Sequence, residues 1–312
     1  MKSSIRLFTV SALAAGIAAC GGSGDGASSS STGNVSFDVT DAPAMEFSNV
    51  TIAFTGISLK PEDGKWIEFT FEQAKTWNLL DLQGGMSEPL ITDEEVPAGN
   101  YTQIRLLIDT KESFVELEDE PGIEKTLAVP SGEQSGLKLN GDFVVTADTT
   151  TDFTIDFDVK KSIVNPSGQS LADYLLKPSL RLVNNVEVGA ISGGVDYATI
   201  NSTRLGTDQL ANCAEGYEGA VYVYQGADAI PTDINVNSDE TGPVMAVPVS
   251  DDDNDGVYTY TAAFLEAGDY TISYSCQLDD NEADDEMEFD GTHTVTVIAD
   301  TKVEAEPIPL LQ

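Results

Sequence analysis

The sequence predicts an all-β protein made of two β-sandwich domains behind an N-terminal signal segment and a flexible linker. Three observations carry that expectation. After residue 33, apolar side chains recur at alternate positions in short runs, the spacing that places them on one face of a strand. Gly, Pro, Asn and Asp separate those runs, as turns require. No long stretch repeats with a helical period, and residues 76–83 and 171–174 alone leave room for a helical turn. A chain of 312 residues exceeds the usual single-domain size and leaves room for two cores after a signal and linker are set aside.

The N-terminus comes first. Residues 1–19 run from the basic start Met1-Lys2-Ser3-Ser4-Ile5-Arg6 through an apolar stretch to small residues, the pattern of a secretory signal peptide. Ile17-Ala18-Ala19-Cys20 resembles the bacterial lipobox. That resemblance implies cleavage before Cys20, a diacylglycerol on its thiol and an amide-linked acyl chain such as palmitate. Several chains anchor stably where one does not. Residues 20–33 form the lipidated cysteine and a Gly/Ser linker, a composition that behaves as flexible coil. The expected location is the cell envelope. Gly21, standing where an Asp would retain such lipoproteins at the inner membrane, implies transfer to the outer membrane of a Gram-negative bacterium. After the N-terminus no apolar run approaches the roughly 18 residues that span a bilayer.

Residues 34–186 are expected to form the first sandwich, with strands at 35–40, 49–60, 66–70, 101–109, 114–118, 125–129, 137–147, 152–159 and 174–183. In the second of these, Val50, Ile52 and Phe54 share one parity while Ile57 and Leu59 take the other, with Gly56 at the switch. A phase change at a glycine reads as a β-bulge. Trp66 and Trp77 sit in strand-like segments and are expected in the core rather than on a sugar-stacking platform.

A family resemblance spans nearly all of this domain. It is carried by Val39-Thr40-Asp41-Ala42-Pro43, Trp77-Asn78-Leu79-Leu80-Asp81-Leu82, Pro97-Ala98-Gly99-Asn100-Tyr101-Thr102, Phe157-Asp158-Val159-Lys160-Lys161-Ser162 and Leu176-Lys177-Pro178-Ser179-Leu180-Arg181, with further stretches at 52–59 and 130–139. These segments resemble the domain-of-unknown-function family numbered 4382, found in bacterial lipoproteins. The resemblance implies a β-sandwich in the envelope and is silent on chemistry.

Residues 187–312 are expected to form a second, acidic sandwich with strands at 190–197, 219–224, 245–249, 257–264, 269–277 and 292–298. Residues 258–271 resemble an immunoglobulin-like or carboxypeptidase-regulatory-like module. Ala267-Gly268-Asp269-Tyr270-Thr271 repeats the Ala98-Gly99-Asn100-Tyr101-Thr102 of the first domain. In both, Gly supplies a positive φ in a turn and the Tyr then packs on the end of its sandwich. If lipid occupies Cys20, Cys213 and Cys276 remain as an even pair in a disulfide-permissive compartment. A bridge is expected, two unpaired buried thiols being the alternative.

Charge bounds the partners. The chain holds 53 Asp plus Glu against 15 Lys plus Arg, a formal net charge of −38. From residue 201 onward there are 24 acids and only Arg204 and Lys302 as bases. A phosphate backbone needs a basic patch, so nucleic acid is excluded; cations and salt are attracted instead. Asp251-Asp252-Asp253-Asn254-Asp255-Gly256 places carboxylates at alternate positions before a Gly reversal, as hard-cation loops do. Calcium at Asp251, Asp253 and Asp255 is therefore weighed against a solvated hairpin turn. The twelfth position is Ala262 instead of a bidentate Glu, so a further ligand would have to come from Glu266 or from the run 279–286. That run itself reads as a loop of mutually repelling charges. Lys138, Lys160, Lys161, Lys177, Arg105 and Arg181 form either an anion patch or a set of neutralising partners for carboxylates.

Catalysis finds little support. The one histidine, His293, lies in an alternating run, and a single histidine with the remaining cysteines expected in a disulfide leaves zinc too few ligands. No catalytic residue is assigned. The expected role is a lipid-anchored binding or structural module for an envelope protein, glycan or cation. The alternative is an envelope polysaccharide hydrolase with two carboxyl groups about 5 to 10 Å apart.

Overall fold

A computed structural model describes residues 31–42, 47–130, 136–166, 172–177, 179–204, 213–214, 217–238, 242–251 and 254–309. Cys20 with its signal and most of the linker, and Asp253, lie outside the described residues. From Ser31 onward the chain forms one compact unit.

The all-β expectation holds, and the strands assemble as two face-to-face sheet pairs. In the first half, a four-stranded sheet runs in the order Leu180–Asn184, Thr150–Asp158, Thr32–Ala42, Glu88–Pro97. Opposite it lies an eight-stranded sheet in the order Ile163–Val164, Tyr174–Leu176, Lys125–Ala128, Phe114–Leu117, Phe47–Pro61, Gly99–Ile108, Leu137–Val145, with Ile67–Asn78 also paired to Phe47–Pro61. Aromatic side chains join the sheets. Phe37 stacks on Phe153 within one sheet at 5.2 Å and meets Phe143 of the other at 5.8 Å, while Phe54 meets Phe157 at 6.0 Å. Each such buried ring contributes roughly 1.5–3 kcal/mol by leaving water.

The bulge at Gly56 is present. Register shifts between Phe54 and Gly56 against both flanking strands, so Val50, Ile52, Phe54, Ile57 and Leu59 are all fully buried despite the change of parity. A Cβ at Gly56 would lie 2.5 Å from the Phe69 carbonyl oxygen. Gly99 has φ 143° and Gly268 φ 158°, and each leads into a buried tyrosine. The Tyr101 hydroxyl donates to the Pro97 carbonyl, four residues back, at 2.8 Å; Tyr270 meets the Glu266 backbone at the same spacing.

The second half repeats the layering. Tyr258–Glu266, Val188–Val195 and Lys302–Glu304 form one sheet, and Met245–Pro248, Ala220–Gln225, Gly268–Ser275 and Asp290–Val297 form the other. Their shared core includes Ile191, Val221, Ala262, Ile272 and Tyr274. The outer face of Ala220–Gln225 is covered too, because Tyr222 and Tyr224 pack with Tyr217, Ile234 and Phe289. Between the halves lies only a three-residue turn at 185–187.

Several elements depart from the sequence expectation. Thr32 and Gly33, read as the end of the linker, already pair with Pro97 and Val96. Glu88–Pro97 is a strand that alternation missed; it lies at a sheet edge and its central acids are exposed, so few apolar positions mark it. Lys302–Glu304 is short and mostly exposed. The expected turn within 76–83 is the 3-10 helix Leu79–Leu82, capped by the Asn78 side chain. The strand expected at 174–183 is split into Tyr174–Leu176 and Leu180–Asn184, which belong to different sheets, while Tyr197–Arg204 is helical.

The departure that positions the site is the single turn of helix Val159–Ser162. The preceding strand stops at Asp158, whose carboxylate accepts the Lys161 N–H at 3.0 Å and caps the turn. That reversal sends Lys160 into the protein, where it is 4% exposed.

Candidate functional site

Lys160 ends against a loop of the second half. Its ammonium lies 3.1 Å from Asp279 Oδ2, with side-chain exposures of 5% and 1%, and donates to the Asp279 carbonyl at 3.0 Å. Asp279 follows the strand Gly268–Ser275 and Cys276. Cys276 is bonded to Cys213, which ties this exit to the chain 63 residues earlier and bears out the expected pair.

Asp279 Oδ2 is saturated with donors. Besides Lys160, it accepts the Tyr222 hydroxyl at 2.9 Å and the Ile234 N–H at 3.2 Å. Burial, and then the Asp279 charge, push the Tyr222 hydroxyl far up in pKa, so it stays a donor. Asp279 Oδ1 is buried and, among the described residues, has no hydrogen-bond partner.

Two more carboxylates converge there. One oxygen each of Asp233, Asp279 and Asp285 lie within 4.8 Å of one another. Backbone amides thread the group together: Asp233 Oδ2 accepts the Asp285 N–H at 2.8 Å, and Asp285 Oδ2 accepts the Asp280 N–H at 2.7 Å. Burial raises the pKa of Asp233; the Asp285 N–H opposes this, and the charges of Asp279, Asp284 and Asp285 add to the rise. A cleft of about 650 Å³ opens onto Lys160, Asp279 and Asp285, with Phe47, Tyr174 and Leu278 on its apolar side.

Further bonds cross this junction. The Asn165 N–H donates to Glu282 Oε1 at 3.0 Å, Asn281 Nδ2 donates to the Lys160 carbonyl, and Lys161 reaches the Pro243 carbonyl at 2.9 Å. The run 279–286, read from sequence as a self-repelling loop, therefore holds buried anchors: Asp279 is 9% and Asn281 8% exposed. A lysine from the other half and backbone amides supply the compensation that local sequence does not reveal.

Of the six basic residues, Lys160, Lys161 and Arg181 pair with carboxylates. Lys161 pairs with Asp158 at 3.0 Å and Arg181 with Asp156 at 2.6 Å. Arg105 lies 3.9 Å over the Trp66 ring. Trp77 packs on the first core beside Phe54. His293 Nδ1 lies 2.6 Å from the Gly291 carbonyl oxygen, within the strand Asp290–Val297.

At the acidic turn, Asp251 is occupied by its own backbone. Its Oδ1 accepts the Asp255 N–H at 3.0 Å and its Oδ2 the Gly256 N–H at 2.9 Å, and Asp255 Oδ1 accepts the Val257 N–H at 2.8 Å. Asp253 lies outside the described residues. Sequence reasoning missed Asp233 and Tyr222. Neither stands in a motif, and a buried loop acid within Pro231-Thr232-Asp233-Ile234 carries no local signal.

With this geometry in place, the first half matches a known family. Residues 32–178 match the family model described as Domain of unknown function (DUF4382). The DUF4382 region thus contributes Lys160, and the acidic cluster lies beyond its C-terminal limit. No curated protein matches the chain. Among solved structures, a leucine-rich repeat protein of Bacteroides thetaiotaomicron is 13% identical with TM-score 0.22, the match covering 90% of this chain and 26% of that one. A candidate cell-adhesion protein of Parabacteroides distasonis is 11% identical with TM-score 0.22, covering 85% and 84%. The minor pilin of Streptococcus agalactiae is 10% identical with TM-score 0.20, covering 89% and 96%. The chain spans about a quarter of the first of these. Overlaps this loose carry no functional inference.

Proposed function

We propose that the protein is a lipid-anchored component of the bacterial cell envelope, and that its β-sandwiches act as a rigid binding or structural module. The carrying observation is the segment ending at Cys20 followed by a Gly/Ser tether that enters a sheet directly at Thr32. A secreted chain so arranged would hold a compact β body at a short distance from a membrane. The architecture supports display more than turnover. At the junction, Asp279 Oδ2 and Asp233 Oδ2 are engaged by Lys160, a tyrosine hydroxyl and backbone amides, as acids in a structural framework are. The acidic half would face an envelope protein, a glycan or a cation.

The test is fractionation of cells expressing the wild-type chain and Cys20→Ser, with metabolic labelling by a palmitate analogue. The expected result is label and outer-membrane sedimentation for the wild type and neither for the variant. Equal sedimentation of both would overturn the anchoring, and a screen of the full chain against envelope glycans and proteins then addresses the partner.

A further inference from the structure

We propose that Asp233, Asp279 and Asp285 bind one divalent metal ion of calcium type, which locks the junction between the two halves. This site is distinct from the acidic turn at Asp251–Asp255, and it does not depend on how the chain is anchored.

Four observations converge. The first is the unpartnered Asp279 Oδ1, buried in a side chain only 1% exposed. Its sister oxygen already receives Lys160, Tyr222 and the Ile234 amide. Leaving a carboxylate oxygen in the interior with no donor is costly, and no protein donor reaches it among the described residues. A cation is the missing partner that the surrounding acids also favour.

Charge is the second. Three carboxylates converge within 4.8 Å against one ammonium, Lys160, a local sum of about −2 that a divalent ion cancels.

The third is chemistry and size. The donors are carboxylate oxygens alone, which select a hard cation. Three carboxylates leave the larger calcium ion room for water ligands in a flexible geometry, whereas the smaller magnesium ion demands near-ideal octahedral coordination and dehydrates reluctantly.

The fourth is access. The cleft of about 650 Å³ borders Asp279 and Asp285, two of the three acids, and offers an ion and its water ligands an approach to the site. Because Asp279 also holds Lys160 from the DUF4382 region, an ion here couples cation concentration to the seam between the halves.

The experiment is calorimetric titration of the full chain, purified in detergent and stripped with EDTA, with calcium chloride and separately with magnesium chloride, alongside melting temperatures. One calcium per chain is expected, with a dissociation constant of about 0.1 to 1 mM, weaker magnesium binding, and a melting temperature several degrees higher in 10 mM calcium. Asp285→Asn keeps an oxygen for the Asp280 amide and should weaken calcium at least tenfold with the fold retained by circular dichroism. Asp251→Asn should leave binding unchanged. The proposal is overturned if the wild type shows neither calcium heat nor a melting shift, or if Asp251→Asn abolishes binding while Asp285→Asn does not. A negative result here leaves the Cys20 fractionation unaffected, so the two readings fail separately.

Discussion

Lys160 and Asp279 are 119 residues apart in sequence and form a buried ion pair, 3.1 Å from ammonium to carboxylate, that ties the two halves of the molecule together. Its energetics follow from burial. The pair is worth little relative to two apolar groups, but removing one partner leaves the other charged and dry.

Lys160→Met is therefore expected to destabilise the protein by about 3–5 kcal/mol. Combining it with Asp279→Leu should cost less than the sum of the two single changes. Denaturant midpoints of the four proteins in EDTA measure the coupling; strict additivity would mean that the pair does not act as a unit.

Asp41 predicts a pH dependence. Burial, then the charges of Asp156 and Asp158, raise its pKa well above the usual value, against opposing hydrogen bonds from the Val159 N–H and Gln83. In the unfolded chain an Asp ionises near about 3.9. Below that pH both states hold the proton and nothing changes. Above it the native state keeps a proton that the unfolded state releases, so this group's contribution to stability falls as pH rises and levels off beyond the raised pKa. Asp41→Asn retains an acceptor for Val159 and cannot ionise. Its melting temperature relative to wild type should be near zero difference at pH 4 and clearly higher at pH 7. An identical difference at both values would refute this account.

The Cys213–Cys276 bridge closes a 63-residue separation. In the chain-entropy model such a loop contributes about 4 kcal/mol. Replacing both cysteines by serine, or adding reductant, should lower the denaturation midpoint accordingly. Because Cys276 leads into the loop that carries Asp279, amide exchange should also accelerate from residue 277 to 286.

Gly56→Ala should be destabilising by about 1–3 kcal/mol, since the new methyl meets the Phe69 carbonyl at 2.5 Å within a packed bulge. Gly141→Ala, whose Cβ has only Leu139 Cδ2 at 3.7 Å, is the matched control and should change thermal stability little.

Much of the fold was readable from the chain itself because strand formation leaves a local trace. Alternation located most strands, the parity change at Gly56 located the bulge, and the repeated Ala-Gly-(Asn/Asp)-Tyr-Thr located two equivalent turns. Strands without that trace escaped. Glu88–Pro97 pairs through its backbone while its acids face solvent, and backbone pairing is not written in side-chain hydrophobicity.

By itself the sequence determined the β class and the acidic character, and set the expectations of a Cys213–Cys276 bridge and of lipid at Cys20, all of which rest on composition, cysteine count or neighbours along the chain. Only the tertiary structure decided that strand Thr32–Ala42 lies parallel to Thr150–Asp158, that Lys160 turns inward after Asp158, and that Asp233, Asp279 and Asp285 meet. The physical reason is range. Hydrophobic spacing and turn chemistry act over a few residues, whereas the partner of a buried charge is chosen by whichever donor packing brings within about 3 Å, here a lysine from the far half of the chain.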